Sequence, residues 1–400
     1  MDTPEYKYYP HIDDEDFFER IFKKKEFYMN RITYNEKNID EICNSEDYIL
    51  QPHQNLLRNY MSSDTPYNNL LVFHKTGTGK TCTAINIAEG LIDEIKHLKK
   101  DNPKEARVLV IAGPNIQKNF INEIYNIKNG EKQCTGTTYA FLDEPDEKKR
   151  EILSNKKIKQ NYEFMGPGQF ANIVEKLQIL GNDEIKKYFS HRLIIIDEVH
   201  NIRQDSSNED NKRVPPMLEK VVKLCKGTLK LLFLSATPMY DSPEEILFLL
   251  KLFLINDKRK ITKKLKNIFE KNGKLKDGGE AILKEVSKGY ISFLRAENPI
   301  TFPKRDYPDQ AQIPNVTKEF LTGNNIRELE RIKNLKIVSV KMSEKQYTKY
   351  NSLVSNTEEK KSGIDRRYAQ LGNIIFENDD FGKNGFTSMF EFDQEKKKYK

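Results

Sequence analysis

Residues 68–89 read NNLLVFHKTGTGKTCTAINIAE, and the order of residue types in this stretch decides the fold. An apolar run ending at Phe73 leads into a turn of glycine and threonine. A helical pattern follows, with Ala84, Ala88, Leu91, Ile92 and Ile95 on one face. Strand, glycine turn and helix in this order predict a phosphate-binding loop. Gly77 and Gly79 let the backbone curl until successive N–H groups face an anion, and the following helix adds its positive end. Thr76, Gly77, Thr78, Gly79, Lys80, Thr81 and Cys82 are therefore the candidate triphosphate contacts. Lys80 is placed to reach the β- and γ-phosphates, and the Thr81 hydroxyl to ligate Mg²⁺. His74 stands where the general loop pattern asks for glycine.

Outward from the loop, three more apolar runs have the length of strands: VLVIAG (108–113), LIIID (193–197) and LKLLFLSA (229–236). Near-continuous apolar strands separated by amphipathic stretches predict an α/β fold. Its parallel sheet is covered by helices on both faces, and ligands bind at the carboxyl ends of such strands. The run LIIID leads into Asp197-Glu198-Val199-His200. Two adjacent carboxylates at a strand tip are unfavourable unless they meet a cation or solvent. Asp197 is the candidate Mg²⁺ holder, through water, and Glu198 the group that positions and polarises the attacking water. A histidine alone would read as a packed surface residue. His200, placed directly after the acids, is a candidate relay to Ser235, Ala236 and Thr237 at the end of the next strand.

Gln54, in LQPHQ, lies upstream of the phosphate loop, and its amide can both donate to and accept from an adenine edge. Gly113-Pro114-Asn115 and Gly166-Pro167-Gly168 expose backbone where a sugar-phosphate chain could approach closely; the alternative for each is a simple turn.

Composition sets wider bounds. Four hundred residues allow two or three domains. Charged residues make up 32% and the net charge is +7, which fits a nucleic-acid partner without establishing one. The lysines scatter along the chain as a coding bias would scatter them. Cys43, Cys82, Cys134 and Cys225 stand far apart, without the spacing of a zinc site, and read as reduced thiols. No apolar run reaches the length of a membrane span, and the opening MDTPEYKYYP is not a signal peptide.

Residues 1–50 read as an N-terminal extension. Phe17, Phe18, Ile21 and Phe22 form one face of a short helix, a clip on the main domain in preference to a partner site. Residues 51–255 form the nucleotide-binding lobe. Within it, 130–170 reads as a polar insertion or long loop with a solvated charge run, EPDEKKREILSNKKIKQ, and 202–213 as a flexible loop. Residues 256–340 read as an accessory helical and extended segment, and 341–400 as a linker towards a second lobe.

The ordered set LQPHQ, TGTGKT, VLVIAGPN, DEVH and LSATP, covering residues 51 to 255, resembles the superfamily 2 helicases. The resemblance implies a RecA-like P-loop NTPase lobe using ATP and Mg²⁺, with hydrolysis driving movement on nucleic acid. DEVH and the short glutamine motif look more like DNA translocases and DExH motors than DEAD-box RNA helicases, so duplex DNA is favoured over RNA. YYPHIDDEDFFERIFKKKEF, KGYISFLRAENPITFPKRDYP and KMSEKQYTKY look like the helicases of large nucleocytoplasmic DNA viruses. That group includes the small subunit of the poxvirus early transcription factor and the poxvirus nucleoside triphosphatase. This narrower resemblance implies a viral ATPase of transcription, located in the virion and host cytoplasm. Its partners would be viral RNA polymerase or other transcription factors, with no membrane association. Such motors take an arginine finger from a second lobe, in a QxxGRxxR segment absent here; Arg366-Arg367 lacks that setting. The expectation is a first lobe that turns ATP over very slowly by itself. Two other readings are a non-catalytic nucleotide-binding scaffold and the motor subunit of a restriction-type enzyme. The second would need a nuclease constellation.

Overall fold

Six strands form the central sheet of the chain's computed structural model: β1 (Asn69–His74), β2 (Val108–Ile111), β3 (Tyr162–Met165), β4 (Leu193–Asp197), β5 (Lys230–Ser235) and β6 (Ile291–Leu294). The structure describes residues 8–31, 50–129, 133–202, 209–239, 242–270, 273–295, 307–318, 324–326, 331, 336–355, 366–393 and 398–399. All ladders of this sheet are parallel, in the order β3-β2-β4-β5-β1-β6. Leu71, Val72, Val108, Val110, Ile194, Ile195, Leu231 and Leu232 are fully buried, as a sheet covered on both faces requires.

The strand order fixes where the helices go. The connections β1 to β2 and β2 to β3 step one way along the sheet, and the later three step the other way. Right-handed crossovers then send the two sets to opposite faces. The first set contains α4 (Lys80–Glu89), α5 (Ile92–Leu98), α6 (Pro114–Ile124) and α7 (Glu147–Asn161). The second contains α8 (Pro167–Leu180), α9 (Asn182–Phe189), α10 (Glu209–Cys225), α11 (Glu245–Asn256) and α12 (Gly279–Ser287). The packing agrees: α4 touches α6, while α8, α9 and α11 each pack on α10. The neighbours β1 and β5 thus send their chains to opposite faces, which opens a crevice at their carboxyl ends. This is the RecA-like, doubly covered parallel lobe that the sequence predicts.

Several expectations need correction. The charge run at 144–160 is solvated as expected, with most of its charged side chains exposed, but from Glu147 onward it is helix α7 and not a loop. Its N-terminus is capped by the Asp146 side chain, which accepts from the Lys148 and Lys149 N–H groups, and Ile158 is buried. The lobe does not stop near residue 255. β6 lies in the segment expected to be accessory, yet it pairs with β1 from Leu71↔Ile291 to His74↔Leu294, and the compact unit extends to Phe302. In the segment expected to be a flexible loop, residues from Glu209 onward are helical, and 203–208 lie outside the described residues. Cys82 and Cys134, expected to be separate thiols, are joined in a disulfide with Cα atoms 5.3 Å apart, whereas Cys225 is free and buried. Cys43 lies outside the described residues.

The N-terminal segment belongs to the same unit. Helix α1 (Phe17–Phe22) buries Phe17 and Ile21 and leaves Phe18 and Phe22 exposed, so the packed stripe is narrower than the four expected residues, and α2 (Lys25–Tyr28) adds the buried Phe27. The Tyr67 hydroxyl donates to Pro10 O at 2.9 Å, and Tyr67 stacks on Tyr60 of α3 (Pro52–Tyr60). In the second unit, Pro303–Lys400, α13 (Glu344–Ser355) packs on α14 (Arg366–Asn373), with Leu371 buried and the Gln346 amide donating to Leu371 O. Among the described residues, no helix is long and apolar enough to cross a membrane.

Candidate nucleotide site

The phosphate loop runs from the end of β1 into α4 at the crevice. Gly77 and Gly79 take φ of 85° and 76°, the left-handed region where glycine is unstrained. At Gly79 the reason is also steric: a Cβ there would stand 2.6 Å from Gln54 Nε2. Thr78 Oγ1 donates to Lys75 O at 2.8 Å and closes the turn. Thr76, Gly77 and Gly79 are exposed; Thr78, Lys80, Thr81 and Cys82 are half-buried. The first N–H groups of α4 lack intrahelical acceptors, so the loop and helix together offer an anion cradle.

Helix α3 grips this loop with two adjacent side chains. Gln54 is buried; its Oε1 accepts from the Gln51 N–H at 2.9 Å, and its Nε2 donates to Gly79 O at 3.2 Å. The amide thus bridges the start of its own helix and the phosphate loop, using its oxygen as acceptor and its nitrogen as donor. His53 Nε2 lies 3.1 Å from Thr78 O. Sequence reasoning missed His53, although it neighbours Gln54 in the same motif.

His74 is buried with its Nε2 2.8 Å from Ser292 Oγ on β6. Burial, with help from nearby His53 and Lys80, pushes its pKa down to about 3, so the ring is neutral at ordinary pH. The histidine in place of glycine therefore packs against the edge strand as part of the core. Ser292 was not legible, because its partner is 218 residues away.

Opposite the loop stand the two acids. Burial and, next, the neighbouring Glu198 charge raise the Asp197 pKa to about 6, against the opposing pull of the Glu198 N–H, which donates to Asp197 Oδ1 at 2.9 Å, and of Lys80. Lys80 is lowered by burial and drawn back up by Glu198 and Asp197. Lysine and acids thus share one electrostatic environment. Glu198 adopts φ 53° and ψ 52°, a left-handed conformation rare for a residue with a side chain and concentrated at functional sites. A half-buried acid with a raised pKa, beside a second acid, suits a hard divalent cation held by oxygen ligands.

From the acids a polar chain leads to the next strand. His200 Nδ1 is 3.2 Å from Glu198 Oε2 and 3.1 Å from Ser235 Oγ. Ser235 Oγ also accepts from the Thr237 N–H at 3.0 Å. The contact runs through Ser235; Thr237 joins it by its backbone, and Ala236 only spaces the two.

Gly113 and Gly166 are N-cap residues, and Pro114 and Pro167 open α6 and α8, so these segments start helices instead of forming free loops. Their parent strands are neighbours, Ile111 facing Met165, and the Ala112 N–H donates to Met165 O at 3.1 Å. The two helix starts therefore emerge side by side at the carboxyl edge of the sheet, with Asn115 exposed and Gly168 half-buried.

A family model described as "Type III restriction enzyme, res subunit" matches residues 29–240, more than half of the chain. A "Putative ATP-dependent RNA helicase" of Acanthamoeba polyphaga mimivirus is 24% identical over 396 residues, covering 96% of this chain and 62% of its own length. A second mimivirus protein so described is 30% identical over 360 residues, covering 78% and 30%. Nucleoside triphosphatase I of Heliothis armigera entomopoxvirus is 29% identical over 254 residues, covering 62% and 33%. The chain spans less than two thirds of the length of each of these relatives. A family match over this span, bracketing the loop, the acids and the Ser-Ala-Thr turn, makes the protein a member of the Type III restriction enzyme res-subunit family, among the superfamily 2 helicases of large DNA viruses.

Proposed function

We propose that the protein is an ATP-driven nucleic-acid motor, acting on duplex DNA in preference to RNA during viral transcription. One observation carries the reading. Lys80 shares its environment with Asp197 and Glu198, and Glu198 is joined through His200 to Ser235 on the next strand. A site that only stored nucleotide would have no use for a polar path leading out of it.

In this reading the N–H groups of residues 77–82 and Lys80 hold the triphosphate, and Gln54 meets the adenine. Thr81 and Asp197 hold Mg²⁺, which when bound offsets phosphate charge. Glu198 orients the attacking water and accepts its proton, and His200 passes the change at Glu198 to Ser235 and the turn beyond. The helix starts at Gly113-Pro114-Asn115 and at Gly166 and Gly168 meet the sugar-phosphate chain through backbone N–H groups. Duplex DNA is preferred from the DEVH resemblance, while the relatives named as RNA helicases make RNA the competing substrate. Action in the virion and host cytoplasm, beside viral RNA polymerase or other transcription factors, follows from the viral kinship.

The test is ATP turnover by the complete protein alone, with duplex DNA, and with duplex RNA. DNA is expected to raise the rate more than RNA, with the effect shrinking as salt rises. Lys80→Ala is expected to weaken nucleotide binding by about tenfold to a hundredfold, the loss of a charge-assisted hydrogen bond. A rate indifferent to both nucleic acids would remove the motor from the reading.

A further inference from the structure

We propose that Cys82 and Cys134 are a thiol pair that exchanges with small-molecule disulfides of the glutathione type, and that the bond between them sets how firmly the nucleotide site holds its ligand. This rests on the nucleotide reading above and adds a control to it.

Cys82 sits in the first turn of α4, two residues after Lys80, on the turn that holds the triphosphate in that reading. Cys134 belongs to a segment anchored on both sides to the end of α6. Before it, Gln133 Oε1 accepts from the Asn126 N–H; after it, Thr135 Oγ1 donates to Ile124 O at 2.7 Å. The bond therefore ties the head of the phosphate-loop helix to the tail of α6, across 52 residues of sequence. Glu123, on α6, places Oε2 3.7 Å from the Cys82 sulfur and 3.5 Å from the Cys134 sulfur. The described free thiol, Cys225, is buried and serves as an internal control.

Exposure orders the chemistry. Cys82 is half-buried while Cys134 is nearly inaccessible, so Cys82 is the entry point. In the oxidising direction the Cys82 thiolate attacks one sulfur of the small disulfide. That S–S bond breaks and one small thiolate leaves. The Cys134 thiolate then attacks the Cys82 sulfur of the mixed disulfide, forming the protein bond and releasing the second small thiolate. Two protein thiols are oxidised, one small disulfide is reduced to two thiols, and the two protons lost by the cysteines pass to the leaving groups. The cross-linked form pre-organises the first turn of α4, so binding has less motion to arrest.

The experiment equilibrates the complete protein in buffers of varied glutathione disulfide to glutathione ratio, traps free thiols by alkylation, and maps peptides by mass spectrometry. The same samples are titrated with a fluorescent ATP analogue and Mg²⁺. A linked Cys82–Cys134 peptide should build up with oxidant. Affinity should fall on reduction by about fivefold, the effect of freeing roughly one residue of backbone. Cys134→Ser should keep the reduced affinity in every buffer. Equal affinity in reduced and oxidised wild-type protein would overturn the proposal, and that comparison needs no variant. Stoichiometric zinc uptake that shields both thiols from glutathione disulfide would overturn it too, in favour of a metal centre. Failure to bind the analogue in either redox state would sink the nucleotide reading itself, an outcome distinct from equal binding in both.

Discussion

Asp197→Asn is expected to make the nucleotide-free, metal-free protein more stable while removing its hold on magnesium. Burial and the adjacent Glu198 lift the Asp197 pKa from 3.8 to about 6. A folded-state pKa above the unfolded value means that the fold favours the protonated acid. The stabilising contribution is complete below the unfolded pKa of 3.8 and is lost as pH rises through about 6. At neutral pH the ionised carboxylate therefore works against the fold. The whole displacement corresponds to about 3 kcal/mol; solvent reaching this half-buried group reduces it to about 1–2 kcal/mol. Asparagine keeps an oxygen to accept the Glu198 N–H but carries no charge.

Thermal unfolding in chelator, across pH, measures this directly. The variant should melt about 2–6 °C above wild type at neutral pH and beyond. The two curves should converge towards about pH 4, where wild-type Asp197 is itself protonated. Adding Mg²⁺ with a non-hydrolysable ATP analogue should raise the wild-type midpoint and leave the variant's nearly still. A variant that melts at or below wild type at about pH 8 would refute the reasoning. So would a gap of constant size at every pH, since it would owe nothing to ionisation.

Two further substitutions probe the frame around the site. Gly79→Ala forces a Cβ onto φ 76° and against Gln54 Nε2. It should cost about 1–2 kcal/mol in denaturant unfolding and weaken nucleotide binding; a variant normal in both would show that the loop does not need this turn. Arg192→Met removes a buried guanidinium that donates to Glu163 Oε2 at 2.6 Å and to Arg107 O at 2.8 Å. Because Glu163 retains Tyr188 and Arg107, the loss should be about 2–3 kcal/mol. It should leave nucleotide affinity unchanged, since Arg192 precedes β4 at the end of the sheet away from the crevice. A change in affinity would contradict that separation.

What the sequence disclosed and what it hid divide along contact range. The loop, the acids and the Ser-Ala-Thr turn are each local strings whose residue types state their chemistry, so β1, β2, β4 and β5 were legible with them. β6 was not. It is a four-residue edge strand with Ser292 inside it and Phe293 exposed, and its burial is too shallow to print an apolar run. Helix α7 hid for the opposite reason. Its Lys and Glu residues dominate the composition, and the few buried positions, Ser154, Ile158 and Asn161, are mostly polar. The Cys82–Cys134 bond and the His74–Ser292 contact join residues that only the folded sheet brings together. At Gly113 and Gly166 the Gly-Pro signal reads as exposed loop backbone or a simple turn, although proline one residue past a glycine also suits a helix start.

Register explains why the coupling path should run where it does. β5 is hydrogen-bonded to β4 with Leu234 opposite Asp197, and to β1 with Ser235 opposite Phe73. Strand ends held in register on a fully buried sheet cannot slide individually, because a one-residue slip would turn every side chain to the wrong face. A change at Glu198 on nucleotide hydrolysis therefore has no route through the sheet itself. Two short pieces near it lie outside the strand ladders. One is the single 3₁₀ turn Val199–Asn201 that carries His200; the other is the segment after Ser235, whose Thr237 N–H is tied back to the Ser235 hydroxyl. The His200–Ser235 contact joins them. Rotation of His200 would strain or release that tie, so Thr237 is where nucleotide state would first become visible beyond the site.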